Sequence, residues 1–160
     1  MSRAAIAEPF APWAGGSTRP VTSGGILRAM SQENVEIVRG AYELYVKRAV
    51  DPYRAHFADD FKFHTQPGFP SQAVYGIDDM QTLWADLDET FTDYSVVPTD
   101  FVGVGDYVIV TLQTSTRMKG SRARIEETIY HLWHVRGGKV LEAWAHSERE
   151  AALEAAGLQQ

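Results

Sequence analysis

The glycine pair Gly137-Gly138 constrains the fold of this chain more than any other feature. It separates two runs rich in Ile, Val, Tyr and Trp, RIEETIYHLWHVR and KVLEAWAH. A two-residue connection between antiparallel strands needs positive φ, which glycine adopts without steric cost. Arg124 to His146 therefore reads as a long hairpin. Side chains alternate across a strand, so Ile125, Glu127, Ile129, His131, Trp133 and Val135 share one face. Glu126, Thr128, Tyr130, Leu132 and His134 share the other. Both faces are partly apolar, so both are expected to be covered. A mostly apolar face that also carries a Glu and a His has the composition of a ligand pocket.

Composition narrows the partners. The formal charge is −6, and no basic stripe offsets it, which excludes nucleic acid and anionic membrane surfaces as expected partners. The basic cluster KGSRAR, Lys119 to Arg124, lies between two strand-like runs and reads as a solvated hairpin tip. The chain has no cysteine, so disulfides, thiol nucleophiles and Cys-ligated zinc fall away together. No apolar run approaches the roughly 20 residues of a membrane helix, and the N-terminus lacks the pattern of a signal peptide. A cytoplasmic location is expected.

Residues 1–29 are rich in Pro, Gly, Ser and Ala and show neither helical nor strand period. They read as a disordered tail, or as residues ahead of a true start at Met30, with Phe10, Trp13, Ile26 and Leu27 available for docking. From Ser31, a candidate cap, Val35, Val38, Tyr42 and Tyr45 recur on one face of a helix to about Ala49. Asp51–Ala58 reads as a short second helix, Phe61–Thr65 as a strand and Gln66–Ala73 as a loop. Ile77–Phe91 forms a third helix with Met80, Leu83, Trp84, Leu87 and Phe91 as its apolar stripe. Strands follow at 93–104, 106–118, 124–135 and 139–146, with Pro98 marking a bulge or an edge. Glu148–Ala156 closes the chain as a helix, with a Ser147/Glu150 capping box and Gly157 at its end. Helices first and strands afterwards is α+β organisation, the helices packed on one face of an antiparallel sheet.

These residues resemble the SnoaL-like group of the nuclear transport factor 2-like superfamily over about Ser31 to Leu158. The carriers are SQENVEIVRGAYELY, FADDF at Phe57–Phe61, YGIDDM, HLWHVRGGKV and SEREAALEAAGL. The resemblance implies a cone-shaped, curved antiparallel sheet enclosing three N-terminal helices. It also implies the range of activities found there: ketosteroid isomerase, limonene epoxide hydrolase, scytalone dehydratase, polyketide cyclase, and members without a known reaction.

Set against the isomerase, an example whose residue roles are well described, the base position falls near Thr65, where there is no carboxylate. His64 could serve if the register slips by one. The protonated acid position falls near His131, which could contact a ligand carbonyl or act as acid/base; the plainer alternative is a core histidine satisfied by Tyr42 or by backbone. The template tyrosine falls near Tyr42. Glu127 is the acid on the pocket-side face and would act as a general acid if buried, or pair with Arg124 or Lys119 if not. The hydrolase carboxylate would fall near Ala145, so that triad is absent. Glu148, near the cyclase acid, sits in a helical first turn where negative charge is favourable anyway. The five histidines show no metal-ligand spacing, and no metal or cofactor is expected.

The expectation is a small-molecule-binding domain with a hydrophobic pocket, acid/base catalysis resting on His131 and Tyr42, and His64, Trp84, Glu127 and Trp133 as ligand contacts. The alternative is a non-enzymatic homodimerisation or association module. It would use the outer sheet face, where Trp144, Leu132 and Tyr130 lie.

Overall fold

The computed structural model describes residues 4–5, 25–65 and 73–157. In chain order the elements are β1 (Ala4–Ala5), α1 (Gly25–Lys47), α2 (Val50–Arg54), β2 (Phe57–His64), β3 (Val74–Gly76), a 3₁₀ turn (Ile77–Asp79), α3 (Met80–Thr90), β4 (Phe91–Val104), β5 (Tyr107–Met118), β6 (Ile125–Arg136), β7 (Lys139–His146) and α4 (Arg149–Ala155). The fold is α+β: a curved, unclosed sheet with the helical layer formed by α1, α2 and α3. Strand order is β1-β4-β5-β6-β7-β2-β3, antiparallel except where β1 joins β4 and β2 joins β7.

Gly137 and Gly138 both have positive φ, at 61° and 79°, and Arg136 pairs with Lys139 across them. The hairpin turn is thus where the sequence puts it. The register shift in β4 falls between Pro98 and Asp100, the bulge that Pro98 announces. It keeps Tyr94, Pro98 and Phe101 on the concave face despite their uneven spacing.

Helix α1 packs Val35, Val38, Ala41 and Tyr42 into the core. Its approach to the sheet is close at Gly103, where a Cβ would stand 2.8 Å from the Ser31 carbonyl oxygen and 3.0 Å from Val35 Cγ2. The helix starts at Gly25, so Ser31 and Met30 lie inside it rather than at its cap; ILRAM is made of residues that tolerate a helix well. Helix α3 buries Met80, Leu83, Trp84 and Leu87 as the stripe predicts, whereas Phe91 is already extended and opens β4. The second helix is shorter than expected and β2 begins earlier, at Phe57. Strand β3 was not foreseen. At α4 the cap residue is Glu148 without a side-chain hydrogen bond, so the Ser147/Glu150 capping box is not formed. Gly157, at φ 75°, ends that helix as expected.

On the convex face Leu153 of α4 packs on Ile109 and Leu132, with Tyr107 and Trp144 at the edge of the cluster. Among the described residues no helix is long and apolar enough to cross a membrane. The tail reading of residues 1–29, the docking of Phe10 and Trp13, and the loop at 66–73 fall wholly or mainly outside the described residues.

Candidate functional site

The concave face of β6 meets the middle of α1 at a hydrogen-bonded chain of three side chains. Trp133 Nε1 donates to the Tyr42 hydroxyl oxygen at 3.0 Å, and that oxygen lies 2.7 Å from His131 Nδ1. Strand alternation puts Trp133 and His131 on the same face, and Tyr42 sits opposite on the buried stripe of α1. Aromatic contacts fix the rings: Phe63 lies edge-on to His131 at 5.4 Å, and Phe101 edge-on to Tyr42 at 6.1 Å.

Burial, with a smaller contribution from His146, lowers the pKa of the His131 imidazole to about 3. It is neutral at physiological pH. An indole N–H can only donate, so Trp133 fills a lone pair on Tyr42. The Tyr42 proton is then directed to Nδ1 of His131, which places the imidazole proton on Nε2. This tautomer is assigned from hydrogen-bond roles. Among the described residues Nε2 has no hydrogen-bond partner, yet it is not among the sealed, unsatisfied polar atoms. It therefore faces accessible space.

Along β5 and β6 the accessibility of the concave face rises toward the hairpin tip, while Tyr94 of β4, level with Thr116, stays buried. Val135, Trp133, Val108 and Val110 are buried at the narrow end. His131, Ile129, Phe63 and Val96 are half-buried, and Thr114 and Thr116 beyond them also keep accessible area. We call this concave surface the cup: its floor is apolar, and toward the open end the polar side chains that keep accessible area include His131, Thr114 and Thr116. Among the described residues the buried polar side chains are Asn34 and Arg39, so no carboxylate shares the core with His131. No group of three or more His, Asp or Glu gathers as a metal-ligand set among them either.

The chain belongs to the SnoaL-like family. The family's domain model matches residues 38–143, which include the whole Tyr42–His131–Trp133 chain. No curated protein sequence matches it. Among solved structures, a nuclear transport factor 2-like protein from Burkholderia xenovorans is 22% identical with a TM-score of 0.64, covering 78% of this chain and 96% of that one. A SnoaL-like polyketide cyclase, so named putatively, from Jannaschia is 21% identical with a TM-score of 0.57, covering 91% and 100%. A protein named TerC, co-crystallised with polyporic acid, is 17% identical with a TM-score of 0.63, covering 76% and 96%. At these identities the likeness is one of fold.

Within this SnoaL-like domain the six candidate residues separate. His131, Tyr42 and Trp133 come together. Trp133, 4% exposed, stands behind Tyr42 rather than on the cup surface. Trp84, 2% exposed, is a core residue against Tyr45, and its Nε1 is buried without a partner. His64 is corrected: it pairs with Trp144 in register, stacks on that ring at 5.5 Å and bonds Glu142 through Nε2, all on the convex face. Its neighbour Phe63 is the inward residue. Glu127 is corrected as well. It shares the face of His131 but is exposed near the hairpin tip, so the burial needed for a general acid is missing, and Arg124 pairs with Asp93 instead.

Sequence reasoning missed a second cluster. Arg48, at φ 53° just past α1, makes two 2.9 Å bonds to Asp88 of α3 and a 2.7 Å bond to the Tyr94 hydroxyl of β4. Asp88 raises the Arg48 pKa still further, and burial raises that of Tyr94. The cluster ties both helices to the sheet beside the wide end of the cup. Neither a positive-φ arginine nor a pairing between residues 40 positions apart carries a sequence signal.

Proposed function

We propose that this SnoaL-like domain binds a hydrophobic small molecule through the concave cup, with His131 Nε2–H donating a hydrogen bond to a carbonyl or hydroxyl oxygen of the ligand. The observation that carries this reading is the accessible, unpartnered Nε2 on an otherwise apolar, half-buried surface. An imidazole whose pKa is held at about 3 is a weak base, because a good general base is matched to the working pH. Its neutral N–H is instead suited to polarise a carbonyl, a use of neutral histidine seen in other enzymes. With no carboxylate in the core among the described residues, proton abstraction has no evident base there. Binding, with electrophilic activation of a carbonyl where a reaction follows, is the function the geometry favours. Two structural neighbours, one named putatively as a SnoaL-like polyketide cyclase and one co-crystallised with polyporic acid, are in keeping with a ligand of that kind.

The test is a thermal-shift and calorimetric screen of aromatic ketones, quinones and their hydroxyl analogues against the full chain and His131→Phe. A ligand at 100 times its dissociation constant stabilises by about 2.7 kcal/mol. Binding that survives unchanged in His131→Phe would refute the assignment.

Association through the convex face is the second reading. Tyr130, Trp144, Tyr107 and His134 remain half-buried there, with Tyr107 stacked on His134 at 4.8 Å, a surface suited to a homodimer. Light scattering of the wild type and Trp144→Ala tests it; a monomer in both retires it.

A further inference from the structure

Strand β2 joins β7 through a broken ladder. Phe57 pairs with Val140 and the next pair is Lys62 with Glu142, so β2 advances five residues while β7 advances two. Beyond that shift the pairing runs only over Lys62–Glu142, Phe63–Ala143 and His64–Trp144, and it is parallel, the less stable form per residue. On its other edge β2 meets β3 over the same three residues, and the Thr65 amide closes that hairpin on the Ala73 carbonyl. The end of β2 is therefore a short, outlying piece of the sheet.

This short end carries a wall of the cup. Phe63 lies over the buried Ala143 in register and stands edge-on to His131, with ring centroids 5.4 Å apart. Phe61 upstream is fixed in the core against Phe57, whereas Phe63 is half-buried and keeps accessible area. Burial alone holds it less firmly.

The next residue grips β7 from the convex side. The His64 ring is stacked on Trp144 at 5.5 Å and 7° from parallel, and its Nε2–H donates to the Glu142 carboxylate, which can only accept. Glu142 and Trp144 are two residues apart on β7 and point the same way, so the imidazole is held on its face by one and on its edge by the other. Neighbouring strand residues share a rigid, planar peptide unit and point to opposite faces. What fixes His64 outside thus fixes Phe63 inside.

We propose that His64 is a positioning residue for the cup: its grip on Trp144 and Glu142 holds the Phe63 ring against His131 and so sets the wall that a ligand of His131 meets. The consequence for binding rests on the cup reading; the effect on Phe63 does not. An aromatic wall held beside a neutral N–H donor suits an aryl ketone, its oxygen on Nε2 and its ring packed against Phe63.

The experiment pairs NMR of the full chain with calorimetric titration of 2-acetylnaphthalene. The variants are His64→Ala, Glu142→Ala, Glu142→Gln, Phe63→Ala, His131→Phe and the double variant His64→Ala/Phe63→Ala. The His64 and Glu142 side chains keep 31% and 35% of their exposure, so these variants are expected to fold, with the Trp133 indole N–H resonance, bonded to Tyr42, in place as the check. In wild type the His131 ring protons should show cross-relaxation with the Phe63 ring. His64→Ala and Glu142→Ala should lose it, and Glu142→Gln, whose amide oxygen still accepts from Nε2–H, should keep it. Ketone affinity should fall about two- to tenfold in His64→Ala and in Phe63→Ala, the range of one aromatic contact, and the double variant should bind no more weakly than Phe63→Ala, because His64 acts through that ring.

An unchanged Phe63–His131 contact in His64→Ala overturns the positioning role, whatever the ketone does. Losses in affinity that multiply in the double variant overturn it as well, because His64 would then act by another route. If the wild type does not bind the ketone, or His131→Phe binds it equally, the cup reading fails and the role in binding with it; loss of the Phe63 contact in His64→Ala would even then support the grip across the sheet.

Discussion

Tyr42 and His131 are 89 residues apart in the chain, yet the hydroxyl of one stands 2.7 Å from Nδ1 of the other, and their rings lie nearly parallel at 11°. The contact joins α1 to the central hairpin of the sheet. It also leaves Nε2 as the imidazole nitrogen without a hydrogen-bond partner among the described residues. If His131 holds a ligand as proposed above, packing and recognition are coupled at this pair.

Tyr42→Phe tests the coupling. It removes the hydroxyl that accepts from Trp133 and reaches His131, leaving the indole N–H unpaired in the core. A buried polar group left unsatisfied costs about 1–3 kcal/mol. Urea denaturation should show a loss in that range. Any ligand bound through His131 should bind more weakly, because the tautomer is no longer fixed; a variant as stable as wild type would show that the chain of bonds contributes nothing.

The same burial predicts an acid sensitivity. In the folded protein His131 takes up its proton only near pH 3, whereas in an unfolded chain a histidine does so near 6.5. Between those values the unfolded state binds more protons, so stability rises with pH. The contribution is fully present above about pH 6.5 and is lost as pH falls toward 3, at a slope of up to about 1.4 kcal/mol per pH unit from this one group. Denaturation midpoints of wild type and His131→Phe between pH 4 and 7 measure it. Carboxylates affect both proteins alike, so the difference should shrink steadily with acid; parallel curves would refute the burial argument.

Gly103→Ala probes the approach of α1 to β4. The added methyl would meet the Ser31 carbonyl oxygen at 2.8 Å and Val35 Cγ2 at 3.0 Å, and a backbone oxygen cannot swing aside as a flexible side chain can. Overpacking of this kind costs about 1–3 kcal/mol. The melting temperature should fall accordingly, and an unchanged value would mean that the helix can shift without penalty.

The order of elements and the hairpin register could be read from the sequence because each rests on a local rule. Two adjacent glycines fixed one turn, alternation then sorted His131 and Trp133 inward and Trp144 outward, and a helical stripe carried Tyr42. The failures have a common cause, which is that parity says which way a residue points but not how deep it lies. Glu127 has the parity of His131, yet the sheet continues past the layer of helices and leaves Glu127 in solvent. His64 failed differently. With β2 read as starting at Phe61, nothing anchored its alternation, and the pairing of Phe63 with Ala143 that turns His64 outward is a contact between distant strands. Arg48 was invisible because its partners Asp88 and Tyr94 lie 40 and 46 residues further along the chain.

The convex face offers the last prediction. Leu132, at 0% exposure, lies under α4, where Leu153 covers it together with Ile109. Part of the surface that the sequence offers to a second copy is thus occupied by the chain's own last helix. Leu153→Ala should cost about 2–5 kcal/mol, as truncation of a buried leucine does, with the lower end expected because α4 is short and its site can collapse. Loosening α4 also bares Leu132 and Ile109 beside Trp144. Hydrogen exchange should therefore rise in α4 and in the facing segments of β5 and β6, while the Tyr42–His131 region across the sheet keeps its protection. Loss of protection on both faces at once would show instead that the helix is part of one cooperative unit with the cup.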